Sequence, residues 1–329
     1  MAIIIGCSGS TGSSLLKTIL NRHSQIFAGP ETCLFAYPSI YQQWAVENVE
    51  NSKILKKIVT EGWVIRKGMN LLQEEYGWEA TDLQEIIHKS PTFPQFVNNF
   101  FIKPLQQANK TVWIEKTPVN AYGFRAFLEN YPQGKVLQIV RNPYDTIASL
   151  MARGMNAYYA TGYYVYNTAV ATSSYQDPRY YHLKYEDLVA HPLPTLQALF
   201  NFLNIPFEAS IIQAQHEQRA EPTTMQGWQH HETAAVATTS IGRFQQLSEE
   251  EQQLVHTAIA SFHIHSNYLQ KYHIRFPNCQ SLCEVIGYPY LSTISPSKKR
   301  KLRLYQFKDR LSRMKHQSWK AIGNYPGFL

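Results

Sequence analysis

Cysteine is scarce: Cys7, Cys33, Cys279 and Cys283 are the only four in 329 residues. That is too few for a disulfide scaffold, and none falls in the middle of the chain, so a reducing compartment is expected. Cys279 and Cys283, four apart, can share a helix face, but two thiols alone make a poor metal site and no metal is expected. No run approaches the ~18 apolar residues needed to cross a bilayer. The N-terminal MAIIIGCSGS lacks the basic region of a signal peptide. A cytoplasmic protein is the expectation. Charge is sparse as well, at 17% of residues against 44% hydrophobic. A sizeable buried core is therefore available and wholesale disorder is excluded. Internal repeats are lacking.

The net charge of +7, from 31 basic and 24 acidic side chains, is unevenly placed. Residues 297–320 hold ten basic residues (Lys298, Lys299, Arg300, Lys301, Arg303, Lys308, Arg310, Arg313, Lys315, Lys320) against Asp309 alone. A tail of +9 in a chain of +7 leaves −2 for everything else. Nucleic acid is therefore not an expected partner of the body.

Short apolar runs bounded by turns, at Ala2–Gly6, Thr111–Glu115, Lys135–Val140 and Tyr180–Tyr185, predict buried parallel strands. Helical patterns follow each, at about Gly12–Arg22, Ala121–Tyr131, Pro143–Gly154 and Pro192–Leu203. The alternation predicts an α/β fold, a parallel sheet flanked by helices. A helical insertion at about 30–110 carries Trp44, Trp63, Tyr76, Trp78, Phe93, Phe96, Phe100 and Phe101. Either these aromatics extend the core or the insertion covers the mouth of the sheet, where ligands of such folds bind. Residues 221–243 show no period and predict a long loop.

The first strand runs into Gly6-Cys7-Ser8-Gly9-Ser10-Thr11-Gly12-Ser13-Ser14 and then a helix. Strand, small-residue loop and helix N-terminus together aim backbone N–H groups at an anion. The hydroxyls of Thr11, Ser13 and Ser14 add donors. The loop resembles a P-loop, so a P-loop-like, nucleotide-binding core is expected, with a plain Gly/Ser turn between strand and helix as the alternative; Ser13 stands where an NTPase keeps its lysine, which disfavours Mg-dependent chemistry at a γ-phosphate. A second anion site is predicted where the third strand ends at Val140-Arg141-Asn142-Pro143-Tyr144-Asp145. Asn142 suits the N-cap and Pro143 the first helical turn. Ser149 and Arg153, four apart, share a helix face that can lie beside Arg141, and together they suit a phosphate. An ion pair of Arg141 with Asp145 or Glu186 would be the structural alternative.

Two phosphate sites at the carboxyl ends of parallel strands suit a nucleotide phosphorylated at both ends. On these segments the chain resembles the sulfotransferases that use 3′-phosphoadenosine-5′-phosphosulfate, nearest in style to the tyrosylprotein and bacterial branches. The matching stretches, in the family's order over roughly residues 1–265, are Gly6–Leu16 with His23 and Glu31, Glu115-Lys116-Thr117-Pro118, Val140–Ser149, Tyr185-Glu186-Asp187-Leu188-Val189 leading into Pro192-Leu193-Pro194-Thr195-Leu196, and Ser240-Ile241-Gly242-Arg243-Phe244 followed by Leu247-Ser248-Glu249-Glu250. The resemblance implies that this nucleotide is the co-substrate, without a metal, and that a hydroxyl or amine is the acceptor. It implies that Ser10, Thr11, Gly12, Ser13 and Ser14 hold the 5′-phosphosulfate and that Arg141, Ser149 and Arg153 hold the 3′-phosphate. Tyr185 would lie near the nucleotide, with Ser240, Gly242 and Arg243 closing over its 3′ side. Glu31 would be the general base, and is otherwise a surface or capping acid. Lys116 would bridge the transferring group and the leaving oxygen, and is otherwise a solvated strand-end lysine. Glu186 and Asp187 read as structural, and His230, His231, His263 and His265 as chance adjacency among twelve histidines.

One departure stands out. The family places a lysine or arginine where this chain has Ser10, and no basic residue occurs from Met1 to Ser14. Loss of such a donor would typically cost about 3–4 kcal/mol of transition-state stabilisation. Lys116 or Arg243 is expected to supply the charge instead. The alternatives are a nucleotide-binding pseudoenzyme without turnover and a small-molecule kinase of P-loop type. The acceptor class stays open among carbohydrate, peptide tyrosine, lipid and small metabolite.

The division expected is a domain over 1–296 and a basic amphipathic tail over 297–329. Leu304, Phe307, Leu311 and Met314 draw one apolar stripe on a helix whose other faces are Lys and Arg. Peripheral contact with an anionic membrane, docking on the body, self-association through 298–316, and an acidic partner are the uses such a helix has.

Overall fold

The computed structural model describes residues 1–36, 41, 44, 75–213 and 240–315, with side chains as far as Phe307. Five strands, β1 (Ala2–Ile5), β2 (Ile26–Ala28), β3 (Val112–Lys116), β4 (Lys135–Val140) and β5 (Tyr180–Lys184), form one wholly parallel sheet in the order β2-β3-β1-β4-β5. The predicted strands fall within a residue of those observed, and the short Ile26–Ala28 segment adds the edge.

Alternation along each strand sends successive side chains to opposite faces. Ile3, Ile5, Ile114, Leu137 and Ile139 face one side, packed with Leu16, Ile19 and Leu20 of helix Ser13–Asn21 and Leu196, Leu199 and Phe200 of helix Pro192–Leu203. Ala2, Ile4, Trp113 and Val136 face the other, beneath helices Phe93–Ala108, Phe124–Asn130 and Ala157–Thr172. Burial on both faces is what makes the strands near-continuous apolar runs.

The helix Ala157–Thr172 has no counterpart among the predicted elements. Nearly every residue from Ala157 to Thr172 is buried, so it carries no polar face and leaves no helical period to detect. Of the two expectations for the insertion's aromatics, the core holds for those among the described residues. Helix Phe93–Ala108 packs against β2 and β3 as the crossover between them, with Phe96, Phe100 and Phe101 in the main core and Tyr76 beside them. These aromatics are core and do not cover the sheet's mouth. Trp63 and most of residues 37–74 lie outside the described residues, as do 214–239 and with them His230 and His231.

The basic tail is helical over Pro296–Lys315 and rests on the body. Among its described side chains the buried one is Leu302 (4% exposed), with Tyr305 packed beside it and Lys298 and Lys301 both paired with Glu250. The docking face is thus opposite the apolar stripe, since Leu304 and Phe307 point outward at 55% and 60% exposure. Cys279 and Cys283 sit with sulfurs 3.9 Å apart inside the core on one helix. His265 caps the helix Ser266–Lys271 by accepting from the Asn267 N–H at 3.3 Å.

Leu302→Ala should cost about 2–4 kcal/mol in denaturant unfolding, whereas Leu304→Ala should change stability by less than about 0.5 kcal/mol. Equal effects would mean that the helix does not dock by this face.

Candidate active site at the carboxyl edge of the sheet

In the order β2-β3-β1-β4-β5, β1 lies between the strands that precede and follow the crossover from β3 to β4. The carboxyl ends of β1, β3 and β4 therefore converge on one crevice, the place where ligands of open parallel sheets bind.

The loop after β1 turns on two left-handed residues, Ser10 at φ 66° and Gly12 at φ 96°. A Cβ on Gly12 would collide with the Tyr185 ring, so position 12 needs glycine both for its conformation and for its space. Helix Ser13–Asn21 then begins with no side-chain cap, which leaves its first N–H groups for another acceptor. The hydroxyls differ in use. Thr11 donates to the Ser8 carbonyl at 2.8 Å, so its hydrogen is taken within the loop. Ser13 is buried and Ser14 exposed.

Lys116 closes β3 opposite Ile5 of β1 in register, which carries its side chain to this loop. It is only 3% exposed, forms an ion pair with Glu31, and stands 3.5 Å from Ser14 Oγ. Glu31 is steadied through its neighbours. The Thr32 N–H donates to Glu115 at 2.8 Å and the Cys33 N–H donates to Thr117 Oγ1 at 3.1 Å. Glu115, fully buried, also accepts from Thr117 Oγ1 at 2.7 Å and from the Asn120 amide. Burial pushes its carboxyl above the usual range despite those donors.

Arg141, one residue beyond β4, reaches back across the crevice. It donates to the Ser10 carbonyl at 2.9 Å and to the Ser240 carbonyl, and lies over the Tyr185 ring at 5.1 Å. Tyr164 donates to the Arg141 carbonyl at 3.1 Å. Arg141 is therefore a strap between two loops, paired with neither Asp145 nor Glu186. Glu186 accepts from the Asn142 N–H at 2.9 Å and from Tyr288 at 2.5 Å, a structural role. Asn142 caps helix Pro143–Met151, accepting from the Tyr144 N–H at 2.9 Å.

Asp145 holds the second loop. Its two oxygens accept from the Gly242 N–H at 2.8 Å and the Phe244 N–H at 2.9 Å. That fixes the left-handed Gly242 (φ 79°) and places Arg243 3.3 Å from Ser149 Oγ and 3.5 Å from Ser240 Oγ. Phe244 packs on Tyr144 and His256. Arg153 joins from just past the helix end at Met151, not from the helix itself. Burial lowers the guanidinium pKa of both Arg141 and Arg153, and mutual repulsion with Arg243 lowers them further.

The candidate residues thus fall into two groups joined by Arg141. One holds Lys116, Glu31 and the Ser10–Ser14 loop, and the other holds Ser149, Arg153, Ser240, Gly242 and Arg243, with Tyr185 between them. Arg243 lies with the second group, so of the two expected substitutes for the missing charge only Lys116 stands by the loop. Three contributors had no sequence signal of their own: Asp145 as a clasp, Glu115 as an anchor, and Tyr164 behind Arg141. A cavity of about 770 Å³ lined by Tyr41, Tyr122, Arg125, Arg179, Tyr272 and Arg275, among others, includes none of the candidate residues. Among the described residues no cluster of three His, Cys, Asp or Glu side chains could hold a metal ion, and no helix is long and apolar enough to cross a membrane.

A parallel α/β sheet whose carboxyl edge gathers buried cations and hydroxyls from two facing loops has the setting in which folds of this class bind ligands. The sulfotransferase family profile matches residues 2–209, and the chain belongs to that family of sulfuryl-transferring enzymes. No curated protein matches it. Among solved structures it is similar to the sulfotransferase domain of the Synechococcus PCC 7002 olefin synthase, at TM-score 0.53 and 17% identity over 88% of this chain and 94% of that one. That likeness is one of fold. The sulfotransferase domain from the curacin biosynthetic pathway (TM-score 0.47, 20% identity, 88% and 98% covered) and mouse sulfotransferase SULT7A1 complexed with PAP (0.44, 12%, 88% and 89%) are more distant in shape and add no weight.

Arg141→Lys keeps the charge but lacks the planar fork that meets two carbonyls at once. It should lower unfolding stability by about 1–3 kcal/mol through the carbonyl left unpaired. Stability equal to the parent protein would show that the strap is dispensable.

Proposed function

We propose that the enzyme transfers a sulfuryl group from 3′-phosphoadenosine-5′-phosphosulfate to a hydroxyl acceptor. The observation that carries this is the pair of anion-binding groups at adjacent strand ends, strapped together by Arg141. A donor phosphorylated at two separated positions needs such a pair. The chemistry of the residues fits this nucleotide. Arg141, Arg153 and Arg243 repel one another, and both oxygens of the nearby Asp145 are engaged by backbone N–H groups. A phosphate dianion would relieve that repulsion. Arg141 Nε and Ser10 Oγ are buried polar atoms with no hydrogen-bond partner, which a bound anion or its waters would satisfy.

The bound nucleotide supplies the sulfuryl group, and the chain's own residues do the rest. Arg243, Ser149, Arg153 and the remaining N–H groups of Arg141 hold the 3′-phosphate, while the amides of residues 12–14 and the Ser14 hydroxyl hold the 5′ end. Glu31 takes the proton from the acceptor hydroxyl as its oxygen attacks. Lys116 stabilises negative charge on the leaving phosphate, taking over from the basic residue that Ser10 replaces. Its 3.5 Å distance from Ser14 Oγ and its pairing with Glu31 support both roles. The ion pair also gives the buried Lys116 charge a partner at the edge of the crevice, where the Glu31 carboxylate is partly exposed.

Thermal-shift titration tests the donor. Adenosine 3′,5′-bisphosphate without Mg²⁺ should raise the melting temperature, and ATP with Mg²⁺ should not; the reverse result would favour a P-loop kinase.

With labelled donor and a panel of alcohols, phenols, sugars and amines, Lys116→Ala should lower turnover by about 10²–10³-fold while binding of the bisphosphate persists. Unchanged transfer would sink the assignment of the missing charge to Lys116. No transfer by the parent protein, with tight bisphosphate binding, would favour a pseudoenzyme.

A further inference from the structure

The surface of the C-terminal helix is left unused by the sulfuryl-transfer site. Its inner side is fully engaged: Leu302 is buried, Tyr305 packs beside it, and Lys298 and Lys301 share Glu250. One half-turn round the axis the helix shows Leu304 at 55% and Phe307 at 60% exposure. Positions 311 and 314, Leu and Met, continue the same side at helical spacing. Leu291 and Ile294, just before the helix, are also exposed, at 64% and 46%. Lys299, Arg300 and Arg303 are exposed about this apolar line, and no acid among the described residues pairs with them. Beyond Phe307 the sequence adds Lys308, Arg310, Arg313 and Lys315 against Asp309 alone.

We propose that this outward face binds the anionic surface of a lipid bilayer, laying the helix flat in the headgroup region while its inner face keeps hold of the enzyme. A helix that presents an apolar stripe edged by Lys and Arg has the pattern of an interfacial helix, with apolar side chains entering the acyl boundary and cations meeting lipid phosphates. Two other occupants fit less well. A second copy of the chain would bring one strongly basic helix against another, and like charges at close range oppose that pairing. A nucleic-acid backbone would meet the cations but would leave Leu304 and Phe307 against a polyanion. The inner-face contacts exclude the body itself as the occupant, because a helix docked by Leu302 cannot also bury Leu304 and Phe307 on the same body.

The test is cosedimentation of the full-length protein with vesicles at physiological salt. Vesicles of equal parts phosphatidylglycerol and phosphatidylcholine should pellet the protein, and vesicles of phosphatidylcholine alone should not. The double substitution Leu304→Ser with Phe307→Ser, at two exposed positions, should leave the melting temperature unchanged and weaken vesicle binding by about tenfold or more. The proposal is overturned if the parent protein stays in the supernatant with anionic vesicles, or if the double variant pellets as well as the parent. It is also overturned if light scattering finds a dimer that the double variant converts to monomer, since a second copy would then cover the face. Sulfuryl transfer is not the readout, so failure here leaves the proposed chemistry intact.

Discussion

Among the described residues, Arg141 spans a crevice that no backbone hydrogen bond crosses. Its guanidinium joins the carbonyl of Ser10, in the loop after β1, to the carbonyl of Ser240, which lies 99 residues beyond Arg141 itself. The Tyr185 ring lies beneath it and Tyr164 holds its own carbonyl from behind. Charge-assisted hydrogen bonds in a buried place are strong, and a buried carbonyl deprived of its donor costs about 1–3 kcal/mol. The two loops thus keep their spacing through one side chain. The same guanidinium keeps a buried Nε without a hydrogen-bond partner, so the residue that joins the loops has a donor to spare.

Carboxylates do the complementary work without facing the ligand. Asp145 fixes the Gly242–Phe244 turn through two N–H groups, and Arg243 is delivered to Ser149 as a consequence. Glu115 fixes the Thr32 N–H, and Glu31 is delivered to Lys116. In both cases an acid satisfies backbone donors and a neighbouring residue gains a defined position. Arg153 and Arg243 of the second group, with Arg141 beside them, are left with an excess of positive charge that is local, within a body whose formal charge is −2 outside the tail. Steering by a basic overall surface is not needed, because the cations are set where the anion would sit.

The tail follows a different logic. Its helix is fastened to the body by Leu302 and by the shared Glu250 carboxylate, so its place is defined. The positive charge concentrated there is carried on a surface that the crevice does not use.

Much of the architecture is visible in the chain itself. Apolar runs of strand length mark the sheet, because strands buried on both faces can tolerate little else. Ser, Gly and Pro at the strand ends mark the two loops, because the conformations at Gly12 and Pro143 admit few other residues. The helix Ala157–Thr172 left no such mark, since burial on all sides erases the period that reveals a helix. The roles of Asp145, Glu115 and Tyr164 were equally hidden. Each depends on a partner distant in sequence, and an isolated acid or tyrosine looks the same whether it clasps a turn or meets water. The tail shows the limit most clearly. Its composition determined a basic amphipathic helix, with Leu304 and Phe307 on one stripe. Only tertiary packing decided which side faces the body, because Leu302 finds a complementary core there and the stripe does not.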